Sequence, residues 1–226
     1  MIRIQRTTEP EVLTKNKASW KTRYLKAVEA YNTHKSVQNK RNKEKAECKY
    51  NHPRIKSALE NMCFGKCAYC ESHIPHIGYG HIEHYKPKSK YPGLCFEWDN
   101  LLLGCEICNG PKYKGDKFPL IQEGGPFINP CDEDPDIFFE FEFDSATGTA
   151  NVIPKNSRGE ITEKEIGLNR SDLVTHRSQV VRKLAFFTLR AKDGDADALA
   201  ELKCCMNKDH EYAAFARTFH RIFNLP

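Results

Sequence analysis

The hydrophobic residues in the first third of the chain recur at the spacing of helices. One apolar stripe, at three- and four-residue steps, comprises Trp20, Tyr24, Ala27, Val28 and Tyr31, which predicts a helix. A second helix is predicted to begin at Pro53, a residue favoured in a first turn, with an apolar face of Ile55, Leu59 and Met62. The polar stretch 35–49 between them predicts either a solvated helix or a mobile loop.

The pattern changes to that of strands in the middle of the chain and returns to helices at the end. Phe139, Phe141 and Phe143 alternate with Glu140 and Glu142, and turn residues then lead to a return strand over 150–153, so a β-hairpin is predicted. From residue 171 the spacing is helical again, with one face formed by Leu173, Val180, Val181, Leu184 and Phe187. This helix is predicted to end near residue 194, and two more follow over 196–206 and 210–223.

The composition is that of a polar globular protein. Of 226 residues, 39% are hydrophobic and 11% are aromatic, which is too apolar for a disordered chain. The longest apolar runs fall short of the ~20 residues of a membrane helix, and the first residues lack the features of a signal peptide. We therefore expect a cytoplasmic protein, in which closely spaced cysteines bind metal more often than they form disulfides.

Charge is distributed unevenly along the chain. The net charge of the whole chain is +5, but it is +9 over residues 1–62, +1 over 63–118, −7 over 119–160 and +2 over 161–226. The basic N-terminal region predicts either contact with nucleic-acid phosphates or docking on an acidic partner, against the simpler interpretation of a solvated surface.

Two Cys-x-x-Cys pairs are the strongest chemical signal. Cys67 with Cys70 and Cys105 with Cys108 are separated by 34 residues, and two such pairs complete the tetrahedral shell of a structural Zn²⁺. Dithiol redox chemistry, which normally needs one pair, an iron–sulfur cluster and accidental pairing are the alternatives. Two histidines beside the first pair are less favoured ligands: His73 and His76. The other cysteines are expected to be small buried hydrophobes: Cys48, Cys63, Cys95, Cys131, Cys204 and Cys205.

Polar residues follow in a fixed order between and after the pairs. Glu83 and His84 come after the first pair, Asn100 precedes the second, and Asn109 directly follows it. The order Cys-x-x-Cys, acidic-His, Asn-Leu, Cys-x-x-Cys-Asn, Lys resembles the zinc-stabilised HNH endonucleases, whose ββα-metal core cuts nucleic acid with a divalent metal. The resemblance covers about residues 67–118, a quarter of the chain.

The resemblance implies a role for each matching position. His84 matches the general base, and Glu83 and Asn109 match the two positions that bind the catalytic Mg²⁺ or Mn²⁺. Asn100 matches the asparagine that braces the loop holding the base. The family usually has aspartate where Glu83 stands and often histidine where Asn109 stands.

These residue types also suit the roles on chemical grounds. A neutral imidazole, with a reference pKa of ~6.5, accepts a proton from water, and carboxylate and amide oxygens suit a hard divalent ion. Glu83 and His84 would point to opposite faces of an extended strand, so a bend is needed for both to reach one phosphate. Candidate phosphate contacts, with a solvated surface as the alternative, are Lys112, Lys114 and Lys117.

A narrower resemblance extends over roughly residues 53–155. It rests on the segments 67–71, 83–88, 98–101, 114–118 and 128–130, which together are similar to the PtuB-type nuclease subunits of Septu anti-phage defence, also found as effectors in retron systems. The resemblance implies a PtuA-type ATPase as partner and a nucleic-acid substrate, either DNA or RNA such as tRNA. In the retron case it also implies a reverse transcriptase with its DNA.

The patterns together predict an α+β fold with a zinc-stabilised ββα-metal core. We expect a basic helical region over 1–62, the HNH core with its four-cysteine zinc site over 63–126, and a β-hairpin with C-terminal helices packed on the core over 127–226. The rival function is a non-catalytic zinc-knuckle module that binds nucleic acid or protein. Such a module would need the cysteines but not His84 beside Glu83.

Overall fold

The computed structural model of the chain describes residues 1–74 and 80–226. His76, one of the less favoured metal ligands, lies outside these residues. Within them the predicted α+β class is confirmed, because α-helices form both ends of the chain and two small antiparallel sheets lie between.

The helices fall into three groups along the chain. Near the N-terminus, α1 spans Glu11–Thr33, α2 spans Val37–Glu47 and α3 spans Pro53–Cys63. A helix of a single turn, α4, spans Glu106–Asn109. Near the C-terminus, α5 spans Ser157–Ile166, α6 Ser171–Lys192, α7 Ala196–Cys205 and α8 Ala213–Ile222.

The N-terminal helices pack on one side of the core through α1 and α3. Tyr24 of α1 is buried, and its ring meets that of Phe96 edge-on with centroids 5.9 Å apart. All 11 residues of α2, which the structure describes in full, are at least partly exposed, so the polar stretch that the sequence left open is a solvated helix. The predicted start of α3 at Pro53 is confirmed, and its predicted apolar face is buried.

The first sheet leads directly into α4. Strand β1 (His81–His84) pairs antiparallel with β2 (Leu101–Gly104), so that Glu83 lies opposite Leu102 and His84 opposite Leu101. Cys105 follows β2 and begins the helical turn of α4. The order strand, strand, helix is therefore that of the predicted core, with a very short helix.

The predicted hairpin is confirmed, but the helix after it was not foreseen. Strand β3 (Phe139–Asp144) pairs with β4 (Thr149–Pro154), and α5 follows. The side chain of Asn156 accepts a hydrogen bond from the Gly159 backbone N at 3.0 Å, which caps α5. A Cβ at Gly159 would lie 2.5 Å from the carbonyl oxygen of Phe138. The glycine thus permits the close contact of α5 with the hairpin, although it weakens the helical pattern in the sequence.

The expectation for the remaining cysteines is confirmed for two of them. Cys63 and Cys95 are buried, as small hydrophobes would be. It is wrong for the other four, because their side chains reach solvent in full or in part: Cys48 and Cys204 are exposed, and Cys131 and Cys205 are half-buried.

One cluster of buried hydrophobic side chains extends through all three predicted regions, from Met1 to Leu225. The first residues contribute directly, since Ile2 and Ile4 are buried. The guanidinium of Arg6 donates hydrogen bonds to the carbonyl oxygens of Trp98 and Leu101 at 2.7 and 2.9 Å. Among residues 1–74 and 80–226, no helix has the length and apolar character needed to cross a bilayer.

Arg177 joins the C-terminal helices to the hairpin. Its side chain is 2% exposed, and its guanidinium donates to the carbonyl oxygens of Ala150 and Leu168 and to Oδ1 of Asn169, each at 2.8 Å. Burial lowers the pKa of Arg177 to about 10, so the side chain remains charged at pH 7. These bonds satisfy acceptors that have little access to water.

Replacing this arginine should destabilise the fold. We expect Arg177→Met to lower the free energy of unfolding by about 3 kcal/mol, because buried acceptors lose their donor. Urea denaturation followed by circular dichroism measures the change. The control is Lys183→Met, at an exposed residue of the same helix, which should change stability by less than about 0.5 kcal/mol. Equal losses of unfolding free energy in the two variants would show that the buried hydrogen bonds of Arg177 add no stability beyond that of an exposed side chain.

Candidate active site

The sulfur atoms of the four predicted zinc ligands converge at one buried point. Cys67, Cys70, Cys105 and Cys108 are all buried, and their Sγ atoms lie within 4.8 Å of one another. Sulfurs at the corners of a tetrahedron ~2.3 Å from a zinc ion are separated by about 3.8 Å, and Sγ of Cys70 lies 3.9 Å from Sγ of Cys105. The donor set and its spacing therefore fit Zn²⁺, whereas a redox dithiol would bring together only one pair.

Hydrogen bonds fix the position of each cysteine pair. The first pair lies in the turn after α3, where the backbone N of Ala68 donates to the Leu103 carbonyl of β2 at 2.8 Å. The second pair begins at the end of β2, where Sγ of Cys105 accepts from the backbone N of Cys108 at 3.4 Å. A zinc ion on the four sulfurs would thus connect α3, β2 and α4.

The pKa shifts of the four cysteines are divided. Hydrogen bonds from the other cysteines lower the pKa of Cys70 and of Cys105, whereas burial raises that of Cys67 and hydrogen bonds with the other cysteines raise that of Cys108. Arg170 donates from Nη1 to Sγ of Cys108 at 3.4 Å. Burial lowers the pKa of Arg170, but the cysteine sulfurs more than offset that effect and the pKa is raised. A permanent cation therefore lies beside a site that four thiolates would make negative.

His84 is held in one orientation by its backbone neighbours. It lies at the end of β1, is 6% exposed, and its Nε2 lies 2.9 Å from the carbonyl oxygen of Cys95. A carbonyl only accepts, so Nε2 carries the proton and Nδ1 keeps its lone pair. The ring of Tyr50 meets the imidazole edge-on with centroids 4.6 Å apart. Burial lowers the pKa of His84 to about 4, so the ring is neutral at pH 7.

Asn100 fixes the loop that carries the Cys95 carbonyl. Its Nδ2 donates to the carbonyl oxygens of Lys86 and Leu94 at 3.0 and 3.2 Å, and its Oδ1 accepts from the backbone N of Lys86 at 2.8 Å. The side chain is buried, so these bonds are shielded from water. Asn100 therefore links Lys86 to Leu94, the residue next to the Cys95 carbonyl that contacts His84.

Glu83 is buried beside His84 and paired with a lysine. Its carboxylate is 3% exposed, and Oε1 contacts both Nζ of Lys114 and the hydroxyl of Tyr69, the latter at 3.5 Å. Burial raises the pKa of Glu83, and the charge of Lys114 opposes part of that rise. The Cβ of Glu83 lies close to Gly104 of β2, where an added Cβ would approach it to 3.2 Å.

Glu83, His84 and Asn109 line one cavity, which we call the site cavity. Its volume is about 380 Å³, and its wall also includes His81, Lys88 and Asp116 among others. The two strand residues therefore reach a common space, although an extended strand would separate them. The carboxylate of Glu83 and the amide of Asn109 are hard oxygen donors, so this wall fits a divalent ion such as Mg²⁺ or Mn²⁺.

The three predicted phosphate-binding lysines have different environments. Lys112 is exposed, and Lys117 is half-exposed with its Nζ 2.7 Å from Oε2 of Glu165. Lys114 is fully buried, and its Nζ donates to the His84 carbonyl at 2.8 Å as well as contacting Glu83. The expectation that Lys114 contacts phosphate does not fit this geometry, because its ammonium is already held inside the protein.

Residues from the N-terminal region contribute to the site cavity and were not foreseen. Tyr50, Asn51 and Lys56 line it, together with Lys88 from the loop after β1. Nζ of Lys88 lies 5.3 Å from the centre of the Tyr50 ring. The one sequence signal is that Tyr50 is an isolated aromatic residue at the end of a long polar stretch.

Comparison with known proteins identifies relatives of this chain. A model of the HNH endonuclease family matches residues 67–115, which include both cysteine pairs and the residues of the site cavity at 83, 84 and 109. Septu protein PtuB of Bacillus mycoides (strain KBAB4) is 31% identical over 220 residues, which cover 86% of this chain and 72% of that protein. Septu protein PtuB of Bacillus thuringiensis is 32% identical over 130 residues, covering 57% and 46%. Septu protein PtuA of Bacillus mycoides (strain KBAB4) is 28% identical over 141 residues, covering 51% of this chain and 19% of that protein.

The four-sulfur cluster predicts the metal content. We expect one zinc per chain by elemental analysis, and Cys105→Ser should reduce the zinc content and the melting temperature together, because a structural zinc stabilises the fold directly. Cys204→Ser is the control, since Cys204 is exposed and lies outside the cluster. A fully folded Cys105→Ser protein that keeps its zinc and its melting temperature would contradict the assignment.

Proposed function

Because this chain belongs to the Septu PtuB family and contains an HNH endonuclease domain, we propose that it is a metal-dependent endonuclease that cleaves phosphodiester bonds of nucleic acid in anti-phage defence. The observation that carries the proposal is the orientation of His84. Its Nε2 is bonded to the Cys95 carbonyl, and the residue lines the cavity that also contains the oxygen donors of Glu83 and Asn109.

In the proposed reaction His84 is the general base. The Cys95 carbonyl holds the proton on Nε2, so Nδ1 accepts a proton from the water that attacks phosphorus. Tyr50 against the ring and Asn100 behind the loop limit rotation of the imidazole. Fixing the base in this way places it for proton transfer without a search among rotamers.

Glu83 and Asn109 are the proposed ligands of the catalytic ion. When bound, a divalent ion supplies positive charge that offsets the negative charge developing on the phosphate and the leaving oxygen. The residues of the chain hold that ion in the same cavity as His84. Asp116 is a further carboxylate in the wall of the cavity and attracts the ion by its charge.

Cations around the cavity favour a polyanionic substrate. Lys56 and Lys88 line the site cavity, and Lys90 and Lys117 line an adjacent cleft that shares Asn109 and Asp116 with it. Lys88 and Lys117 are each paired with a carboxylate, of Glu47 at 3.5 Å and Glu165 at 2.7 Å, so a phosphate would compete with these pairs. Phosphate contacts of this kind position a nucleic acid without reading its sequence. The proposal therefore covers DNA and RNA, including tRNA, as substrates to be compared in the same assay.

The first test removes the base. We expect His84→Ala to abolish Mg²⁺- or Mn²⁺-dependent cleavage of plasmid DNA or RNA, a loss of at least about 10²-fold, because no group remains to accept the proton of the water. The variant should keep its zinc and bind nucleic acid with an affinity that falls as salt rises. His220→Ala, at a partly exposed histidine of α8 distant in sequence from the site, is the matched control.

The results separate the candidate functions. Retained cleavage by purified His84→Ala would remove this residue from the mechanism. If the unaltered protein binds nucleic acid but cuts neither DNA nor RNA with either ion, alone or with its partner, the chain is a non-catalytic zinc module. Unpaired cysteines that react rapidly with thiol reagents, without bound zinc, would favour a redox protein.

We also propose a PtuA-type ATPase as the partner of this nuclease, and a reverse transcriptase with its DNA where the genes belong to a retron. Membership of the PtuB family supports the ATPase. Two apolar side chains on α6 are available for such an interface, since Phe186 and Leu189 are 56% and 57% exposed and three residues apart. Apolar patches of this kind are typical of protein contacts.

Co-purification tests the partner and the surface. We expect the tagged chain to retain the co-expressed ATPase, and Phe186→Asp with Leu189→Asp to reduce the amount retained at least tenfold, because charges would be buried in the interface. Val37→Asp on α2, where Val37 is 69% exposed, is the control on the other helical region. Loss with Val37→Asp alone would place the interface on the N-terminal helices, and absence of any complex would contradict the partnership.

A further inference from the structure

Lys114 is a lysine with no access to solvent, which is rare unless its charge is matched. Its side chain is 0% exposed. The ammonium contacts Oε1 of Glu83 and donates to the carbonyl oxygen of His84 at 2.8 Å. The ammonium of Lys114 therefore already contacts the Glu83 carboxylate, which is proposed above as a ligand of the divalent ion.

The backbone keeps this ammonium in place. Lys114 follows α4 in a tight turn, where its backbone N donates to the Cys108 carbonyl at 3.2 Å and its own carbonyl accepts from Lys117 N at 2.8 Å. Gly115 next to it has a φ of +43°, a conformation that favours glycine. The backbone of Lys114 is thus hydrogen-bonded to Cys108 of the second cysteine pair. Its position is set by the turn that follows Asn109.

The contacts described for the Glu83 carboxylate are made at one of its oxygens. Nζ of Lys114 and the hydroxyl of Tyr69 both contact Oε1. In a site this buried, an ionised carboxylate needs a cation beside it. Lys114 supplies that cation from within the chain.

We propose that Lys114 is a resident cation of the nuclease site, which neutralises Glu83 until a divalent ion binds and then competes with that ion for the same carboxylate. The inference rests on the proposed function, because it takes Glu83 as a ligand of the ion. Two cations on one buried carboxylate repel each other strongly at short distance. The free protein therefore binds the ion more weakly than its oxygen donors alone would allow.

The test compares binding of Mn²⁺ in the full-length, zinc-loaded protein and in Lys114→Met, which keeps the length of the side chain and removes its charge. We expect Lys114→Met to melt at a lower temperature without Mn²⁺, because Glu83 loses its partner. Its affinity for Mn²⁺ by calorimetry should rise by about tenfold or more. Mn²⁺ should also raise its melting temperature further than that of the unaltered protein, because the ion replaces the missing charge.

Two controls isolate the carboxylate and the position. Lys112→Met, at an exposed lysine two residues away, should change neither the affinity for Mn²⁺ nor the melting temperature. Adding Glu83→Gln to Lys114→Met should remove the gain in affinity. If Lys114→Met does not fold, the unaltered protein is studied by NMR instead. The nitrogen resonance of its Lys114 ammonium, assigned with the help of Lys114→Arg, should shift on titration with Mg²⁺.

The outcomes distinguish this inference from the proposed function. If Glu83→Gln lowers the affinity for Mn²⁺ but Lys114→Met leaves it unchanged or lower, Glu83 is a ligand and the competition is overturned. If Glu83→Gln has no effect on Mn²⁺ binding, the assigned metal ligand is wrong and the competition falls with it. An ammonium resonance that ignores Mg²⁺ would also overturn the competition.

Discussion

The position of the site depends on the convergence of four cysteine sulfurs between α3, β2 and α4. The apolar faces of α3 and β2 are buried there, but α4 is a single turn and has little of its own to hold it in place. A zinc ion on Cys67, Cys70, Cys105 and Cys108 would tie this turn to the rest of the core with directional bonds. Asn109 and Lys114 follow the second pair within six residues, so the positions of these residues at the candidate site depend on the cysteine cluster.

The sequence predicted the features of the site that depend on the order of residues along the chain. It predicted fewer of the features that depend on where each side chain points in the fold. Paired cysteines have few uses at this spacing, so their convergence followed from the pattern. The helix beginning at Pro53 and the hairpin of alternating phenylalanines followed from periodicity in the same way. Which way Lys114 points did not follow, since three lysines within six residues have the same appearance in sequence and only the turn at Gly115 separates a buried one from its exposed neighbours.

The end of the basic N-terminal region lies at the site cavity and brings one of its lysines there. Residues 1–62 carry a net +9, and the end of this region, with Tyr50 and Lys56, forms part of the wall of the site cavity. The sequence could not reveal this contact, because it joins segments some thirty residues apart through packing of Tyr50 on His84. In the proposed reaction the region therefore belongs to the nuclease site as well as to the scaffold around it.

The hydrogen bond between His84 and the Cys95 carbonyl has a consequence for turnover. With Nε2 committed to that carbonyl, the imidazole has one working nitrogen, so in the proposed reaction a proton would arrive and depart by the same atom and through the same opening. With a pKa of about 4, the doubly protonated ring would give up its proton readily at pH 7 to water in the site cavity. The base would then be regenerated without a second proton path through the protein.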